Sequence, residues 1–487
     1  MTTLRRIAIN TVFLLISQAV NFLLTFLYMT FMARYLGPSG YGVLTFALAF
    51  TSIFGVFTDF NLSLLIAREV ARDEKAVNKY LANISVIKII LCIVTFVILA
   101  VVINLIGRSE ETVQVVYLLG ISVLLTSFTQ MFYAVFQAFQ RLEYQAIGQM
   151  INAVLMTVLV FIAVNLKLDL VAFGFMYLAS AAAVFLYCFL SWQLKVSRII
   201  ILPHYRAFEV NWRFWKETFR HALPFGLSAV FVMAFYWVST IMLTLMKGDE
   251  ASGLYNAPYR LVLVLSFIPA AFIGALYPAM SKLINTSPQK FRVYYEITRK
   301  YLLMMAVPLG IGTTILAGPI IGLIFGNLYS ESVLALQILI WAEVCIFISL
   351  PMGNLFNSLN RQSIITLTTA ICLVFNVGLN FVLIPYYGVI GASITTLLTE
   401  ALSLLISYIY IIKSGYGPAK KDIIATMKLL LAGVIMAIFL IFFHQLNLFI
   451  LIPTAALVYF IVLVMVGSIT RQEIVMLISI IRNHEEK

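Results

Sequence analysis

The chain is 487 residues long, 62% hydrophobic and only 11% charged, with a formal net charge of +12. Soluble proteins carry about 25% charged residues, so lipid is the solvent for most of this surface and a soluble catalytic domain is excluded. The positive balance follows the distribution that membrane topology imposes and does not call for nucleic acid.

With no water to bond exposed backbone groups, a spanning segment must be a helix or part of a closed barrel. Runs of about 20 apolar residues match helices, whereas barrel strands alternate in polarity over about 10 residues. Hydropathy places fourteen such runs at 9–33, 41–66, 81–106, 112–138, 146–165, 169–192, 220–246, 254–281, 298–325, 332–356, 363–384, 388–412, 424–444 and 448–467. The expected fold is all-α and polytopic. The first run follows Arg5 and Arg6, is too long for a signal-peptide core and precedes no clear small-residue cleavage site, so it reads as a retained helix. With the N-terminus inside, 26 of the 32 Lys and Arg fall at the termini and in inner loops. Four (Arg34, Arg108, Lys167, Lys247) fall in outer gaps and two (Lys88, Arg260) within spans. Thirteen crossings would leave the basic tail outside, so both termini are expected on the cytoplasmic side of the cell membrane.

In chain order, the first span carries Gln18, Asn21 and Thr25 at spacings of three and four, which is one helical face. Gln130, Tyr133 and Gln137 repeat that spacing on the fourth span, and Asn354 and Asn357 end the tenth. Such stripes suit a hydrated cavity; polar packing between helices explains them equally. A charge at the bilayer centre costs about 2.5–3.5 kcal/mol on insertion scales, so each ionisable residue in a span is a functional candidate. Arg34 sits at the outer end of the first span, where snorkelling is easy. Asp59 lies near the inner end of the second, at a different depth, which disfavours a direct pair with Arg34. Lys88, eight residues into the third span from its inner end, reads as a lysine snorkelling to the headgroups.

The stretch 193–219 is the longest outside the membrane. It is basic and aromatic (Trp212, Phe214 and Trp215 beside Arg213, Lys216 and Arg220) and reads as an amphipathic segment on the inner leaflet. It separates six spans from eight. The turn after the first span reads Leu36-Gly37-Pro38-Ser39-Gly40-Tyr41-Gly42-Val43, and the turn after the seventh reads Lys247-Gly248-Asp249-Glu250-Ala251-Ser252-Gly253-Leu254. Gly37 and Gly248 are 211 residues apart, as are Gly42 and Gly253. An offset of six spans preserves topology, which suggests parallel repeats about an axis along the membrane normal. The expected organisation is an N-terminal lobe (1–192), a linker (193–219), a C-terminal lobe (220–412), and two further helices with a tail (413–487).

Arg260 lies about six residues into the eighth span, roughly 9 Å from its outer boundary at 1.5 Å per residue. Pro258 leaves a carbonyl near 254 without its usual donor. A guanidinium there can hold a pyrophosphate bidentately; it can equally snorkel or form a structural ion pair. Glu343 and Glu400 lie mid-span in the tenth and twelfth helices. A carboxylate withdrawn from water can exchange a proton or ligate Na⁺ with backbone carbonyls, or it can lock two helices by a hydrogen bond. Cys92, Cys188, Cys345 and Cys372 fall inside spans, outside any CxxC or Cys/His spacing, and read as small core residues without a disulfide or metal. His204, His221, His444 and His484 are scattered. There is no GxxxxGK[ST], HExxH, GxSxG or paired-acid loop motif, so neither ATP hydrolysis nor another catalytic constellation is expected. Outer gaps of about three to seven residues leave no room for the catalytic loop of a membrane polymerase or glycosyltransferase.

At several of these residues the sequence resembles a known family. Ala33-Arg34-Tyr35-Leu36-Gly37-Pro38-Ser39-Gly40-Tyr41-Gly42-Val43-Leu44, with Asp59 beyond it, resembles the opening of polysaccharide-biosynthesis flippases of the O-antigen type, which share a superfamily with MATE extruders and lipid II flippases. Gly253-Leu254-Tyr255-Asn256-Ala257-Pro258-Tyr259-Arg260, Ile324-Phe325-Gly326-Asn327-Leu328-Tyr329 and the stretch from Asn376 to Ala392 resemble later stretches of the same family, in the same order. The resemblance implies two six-helix lobes facing each other in a V, plus two C-terminal helices. It implies a transporter, not an enzyme, that moves a polyprenyl (pyro)phosphate-linked oligosaccharide from the inner to the outer leaflet by alternating access. Arg34, Arg260, Asn256, Gln18, Asn21, Gln130 and Gln137 become the expected substrate contacts. Asp59, Glu343 and Glu400 become the expected ion-coupling or gating residues. No cofactor is implied beyond a coupling Na⁺ or H⁺. The implied partners are the lipid-linked substrate, membrane lipid and polysaccharide assembly enzymes. The alternative is a cation-coupled multidrug or metabolite extruder on the same fold, which would use acidic cavity residues and need not have Arg260.

Overall fold

The structure, a computed structural model, describes residues 3–196, 212–359, 361–417 and 420–468, and every regular element among them is helical. The core of the expected inner-leaflet segment, 197–211, and the tail from 469 lie outside the described residues. The helices are α1 (Thr3–Asp59), α2 (Leu62–Arg72), α3 (Val77–Ile106), α4 (Glu110–Ala138), α5 (Leu142–Leu166), α6 (Leu170–Ser191), α7 (Trp212–Lys247), α8 (Asp249–Leu265), α9 (Phe267–Thr286), α10 (Pro288–Ile324), α11 (Ser332–Ser358), α12 (Gln362–Lys413), α13 (Lys420–Phe442) and α14 (Leu448–Met465).

Among the described residues, twelve helical segments are long and apolar enough to cross a membrane. Two of them, Ser17–Arg72 and Gln362–Lys413, run 56 and 52 residues, or roughly 80 Å at 1.5 Å per residue against about 30 Å of hydrocarbon. Each is broken by a glycine with positive φ: Gly37 (φ 66, ψ 177) and Gly388 (φ 51, ψ −123). Pro38 follows the first break and Pro385 precedes the second, and neither proline can donate a helical N–H. Each long segment thus supplies two crossings, which brings the total to about fourteen.

Two spans depart from the hydropathy reading. The second ends at Asp59 rather than continuing to 66. Phe60 and Asn61 are left-handed (φ 45 and 61), and α2 leaves them as a separate short amphipathic helix. The eighth is divided at Ser266 into α8 and α9.

Lipid shapes the surface of α3. Ile84, Ile87, Lys88, Cys92, Thr95, Leu99 and Ile103 are buried at spacings of three and four, while Ile89, Ile90, Ile93, Val94, Val97 and Ile98 lie exposed on the other side.

The chain forms two compact units, Met1–Gly253 and Leu254–Lys487. In the first, one core gathers Met32, Leu44, Phe46, Leu119 and Phe173, and another gathers Ile66, Ile84, Phe132, Phe136 and Trp192. In the second, α13 and α14 pack on α10 through Met304, Leu316, Met436 and Tyr459. The Tyr459 hydroxyl donates to the Met304 carbonyl at 3.0 Å, and Arg299 pairs with Asp422 at 2.8 Å. Helix ends near residues 34–42, 107–110 and 247–253 form one end of the first unit; those near 59–80, 139–145, 192–196 and 212–220 form the other.

Candidate substrate cavity and its buried ion pair

The chain leaves the second span through two consecutive left-handed residues, and left-handed non-glycine residues are uncommon. The Phe60 ring is stacked on Phe219 of α7 with centroids 5.6 Å apart. The turn sets Ser63, the second residue of α2, beside Asp59, and the Ser63 hydroxyl donates to the Asp59 carboxylate at 2.6 Å. That carboxylate also forms an ion pair with Lys88 of α3.

Lys88 does not snorkel, contrary to the expectation from its depth. Its side chain has 0% exposure. Its ammonium donates to the Ser127 carbonyl (2.6 Å), the Ser63 hydroxyl (3.1 Å) and the Ser127 hydroxyl (3.2 Å). The Ser127 hydroxyl donates in turn to the Thr58 carbonyl at 3.1 Å. Position 88 falls on the inward face of α3, and a full set of acceptors compensates the removal of its charge from water.

This cluster forms one wall of a cavity of about 580 Å³ in the first unit, within the range of small-molecule sites. Ser52, Asp59, Asn61, Thr126, Ser127 and Gln130 supply its polar lining. Val232, Met233, Tyr236 and Trp237 of α7 supply an apolar and aromatic lining. Asp59 is 23% exposed, so the carboxylate reaches the cavity while its counter-ion stays behind it.

Asp59 and Gln130 are thus brought to one cavity. The rest of the fourth-span stripe is not: Tyr133 is buried in the core, and Gln137 donates to the side chain of Gln145 at 2.9 Å. Gln18 and Asn21 are half-buried on the first half of α1, and Arg34 is exposed near its break. Asn354 donates to the Leu350 carbonyl of its own helix at 3.0 Å.

In the second unit, the carbonyl of Leu254, four residues before Pro258, accepts from the Ser332 hydroxyl at 2.7 Å, which ties α8 to α11. Asn256 is fully buried, the Tyr255 and Thr396 hydroxyls bond at 2.8 Å, and Arg260 is half-buried. Glu343 is 2% exposed; it accepts from the Ser266 hydroxyl at 2.6 Å, and Glu400 lies within electrostatic reach of it. A buried polar ladder runs beside Glu400. Asn380 donates to Asn376 (2.7 Å), Asn376 to the Thr399 hydroxyl (3.2 Å), and Thr399 to the Thr395 carbonyl (2.7 Å). Among the described residues, no three His, Cys, Asp or Glu side chains converge as a metal site, and all four cysteines are free.

At the end of the first unit near residues 34–42, the two glycine turns that are 211 residues apart in sequence meet. The space where Gly42 would carry a Cβ is filled by the Asp249 carbonyl, and the space at Gly253 by the Pro38 carbonyl. Arg108 forms an ion pair with Asp249 and lies over the Phe46 ring, 5.1 Å from its centroid. The matched glycines were the only sequence sign of this contact; Arg108, Ser127 and Ser266 carried none.

Helices of this number and length, with buried charge and a partly polar cavity, define a polytopic membrane protein, and the fold is that of MurJ and MATE structures. A solved lipid II flippase, MurJ, in an inward-closed conformation matches 95% of this chain and 100% of its own at a TM-score of 0.74 and 14% identity. An inward-facing MATE multidrug resistance transporter of the MOP superfamily matches 82% and 96% at 0.61 and 15%. The chain belongs to the polysaccharide biosynthesis protein family, whose model matches residues 7–284. Its relatives include the probable low-salt glycan biosynthesis flippase Agl15 of Haloferax volcanii, 22% identical over 395 residues with 80% of each chain covered. A putative O-antigen transporter of Shigella flexneri is 24% identical over 424 residues, covering 82% of this chain and 97% of its own.

Proposed function

We propose that this protein flips a polyprenyl (pyro)phosphate-linked oligosaccharide from the cytoplasmic to the outer leaflet by alternating access of two six-helix lobes, for cell-surface polysaccharide or glycan assembly. The observation that carries this reading is the open cavity of about 580 Å³ in which Asp59, Ser127 and Gln130 stand on an otherwise largely apolar lining, in a chain from this family. The flippase and O-antigen transport functions named for its relatives support it.

In this reading the end of the first unit near residues 59–80 faces the cytoplasm, and the contact between the two glycine turns closes the outer side. Gln130 and Thr126, with Gln18, Asn21 and Gln137 along the path, bond sugar hydroxyls. Arg34, Arg260 and Asn256 hold the phosphate groups, and the prenyl chain stays in lipid. Glu343, buried, and Glu400, half-buried and near it, couple the cycle to H⁺ or Na⁺. Polysaccharide assembly enzymes receive the product. An extruder of lipophilic cations would need an uncompensated acid in the cavity. The charge of Asp59 is already neutralised by Lys88, which favours a neutral polar head in that place.

The test is leaflet-resolved flipping of lipid-linked oligosaccharides in proteoliposomes. Wild type is expected to flip, and Arg34→Ala/Arg260→Ala to lose about tenfold or more, as charge-assisted hydrogen bonds to phosphate are removed. Unaltered flipping in the double variant would remove the arginines from the site. Failure across a panel of lipid-linked sugars, with uptake of a lipophilic cation instead, would give the function to the extruder reading.

A further inference from the structure

A second cavity, of about 600 Å³, lies at the end of the first unit near residues 59–80, between α2 and the first turns of α7. From α2 it takes Leu64, Leu65, Arg68 and Arg72, and from α7 Phe214 and Ala222. The spacings are those of facing helical surfaces. The groove is graded. Leu64, Leu65 and Ala222 make an apolar stretch beside Asn61, and Asn61 also lines the substrate cavity. At the other end stand two guanidiniums one helical turn apart, with side chains 58% and 61% exposed.

Glu69 lies between the arginines and engages them loosely, Arg68 through Nε at 3.7 Å and Arg72 through Nη1 at 3.3 Å. A guanidinium has five donors, so each retains several for a further acceptor; the groove's own lining carries two guanidiniums to one carboxylate, with Asp73 near Tyr80 at its edge. Lys79 adds a third cation, held 5.1 Å from the centroid of the Phe214 ring. The opposite face of α2, with Leu62, Ile66 and Val70, is buried in the bundle. The helix is therefore anchored, with its cationic edge left exposed.

We infer that this groove binds the phosphate of a membrane lipid between Arg68 and Arg72, with the lipid chain along Leu64, Leu65 and Ala222. It is a docking site separate from the central cavity and continuous with it through Asn61. The inference rests on the flippase reading for the side of the membrane and for one of two phosphate sources. Two planar guanidiniums accept the phosphate of a polyprenyl phosphate carrier or of an anionic phospholipid by the same chemistry.

The experiment is native mass spectrometry of the full-length purified protein titrated with a polyprenyl phosphate, with phosphatidylglycerol, and with uncharged polyprenol. Arg68→Gln/Arg72→Gln is expected to retain phosphate lipid at least about tenfold less well, since each basic residue at a membrane surface contributes severalfold. Arg68→Lys/Arg72→Lys keeps the charge but loses the planar fork and should show an intermediate loss, while Arg292→Gln, at an exposed arginine of the second unit, should keep all of the retention. Leu64→Trp fills the groove without touching its charge and should produce the same loss. Retention of polyprenyl phosphate alone assigns the groove to the carrier; retention of phosphatidylglycerol assigns it to bulk lipid; either supports the site. Equal retention by wild type and both groove variants overturns it. Flipping is measured alongside. Wild-type flipping with unchanged retention in the variants sinks the groove alone, whereas charge-dependent retention without flipping of any lipid-linked sugar sinks the transport reading alone.

Discussion

Lys88 shows how a membrane helix conceals its inward face. In water, the buried side of an amphipathic helix is betrayed by polar residues opposite; in lipid both sides are apolar. Ile89, Ile90 and Ile93 face outward and Ile84 and Ile87 inward, with nothing in hydropathy to separate them. The charges of Asp59 and Lys88 were legible as residues out of place in spans. Their pairing was not, because the partners stand on separate helices and the third member, Ser127, has no unusual chemistry. Removing one partner of a buried ion pair costs about 3–5 kcal/mol. Lys88→Met is therefore expected to lower thermal stability in detergent by an amount of that order, and Asp59→Asn/Lys88→Met to recover much of it. Losses that simply add would show that the two do not act as a pair. Glu343 offers a comparable test in the second unit. Glu343→Gln and Glu400→Gln should leave the fold intact and abolish stimulation of flipping by an imposed Na⁺ or pH gradient; undiminished stimulation would exclude both from coupling.

Helix breaks separate what was readable from what was not. Gly37-Pro38 and the Pro385 to Gly388 stretch announce reversals by their chemistry, and the backbone turns there. The break at Phe60-Asn61 has no such signature, since the apolar run continues through Leu62, Leu64, Leu65 and Ile66, so α2 stayed hidden inside a span. Gly37→Ala is expected to cost about 1–3 kcal/mol, because the conformation at φ 66, ψ 177 is essentially restricted to glycine. Pro258 gives a second test. The carbonyl it leaves open was anticipated, while the donor that fills it, Ser332, lies on another helix. Ser332→Ala should cost about 1–3 kcal/mol by stranding that carbonyl. Adding Pro258→Ala, which restores the helical N–H, should return part of the loss. An equal loss in both backgrounds would mean that the hydroxyl satisfies something else.

At the level of the molecule, roughly fourteen crossings and the family followed from hydropathy and a handful of short stretches, because membrane thickness dictates span length. The meeting of the turns at 37–43 and 248–253 did not follow, since two matched glycines indicate a repeat and say nothing of contact. Arg108 reinforces that meeting through Asp249 and the Phe46 ring. Arg108→Ala should weaken it and raise severalfold the rate at which a membrane-impermeant maleimide labels Ser252→Cys, a position fully buried in this structure; an unchanged rate would relieve Arg108 of that role. The reciprocal glycines have a further consequence. Carbonyl groups occupy the space of both absent Cβ atoms, so the closed arrangement admits no side chain at either position. Gly42→Ala or Gly253→Ala introduces one methyl group and no charge, yet it is incompatible with this state. Under the alternating-access reading proposed above, such a methyl is a one-carbon wedge, expected to enrich the state in which these turns part and to allow its capture without ligand, crosslink or antibody.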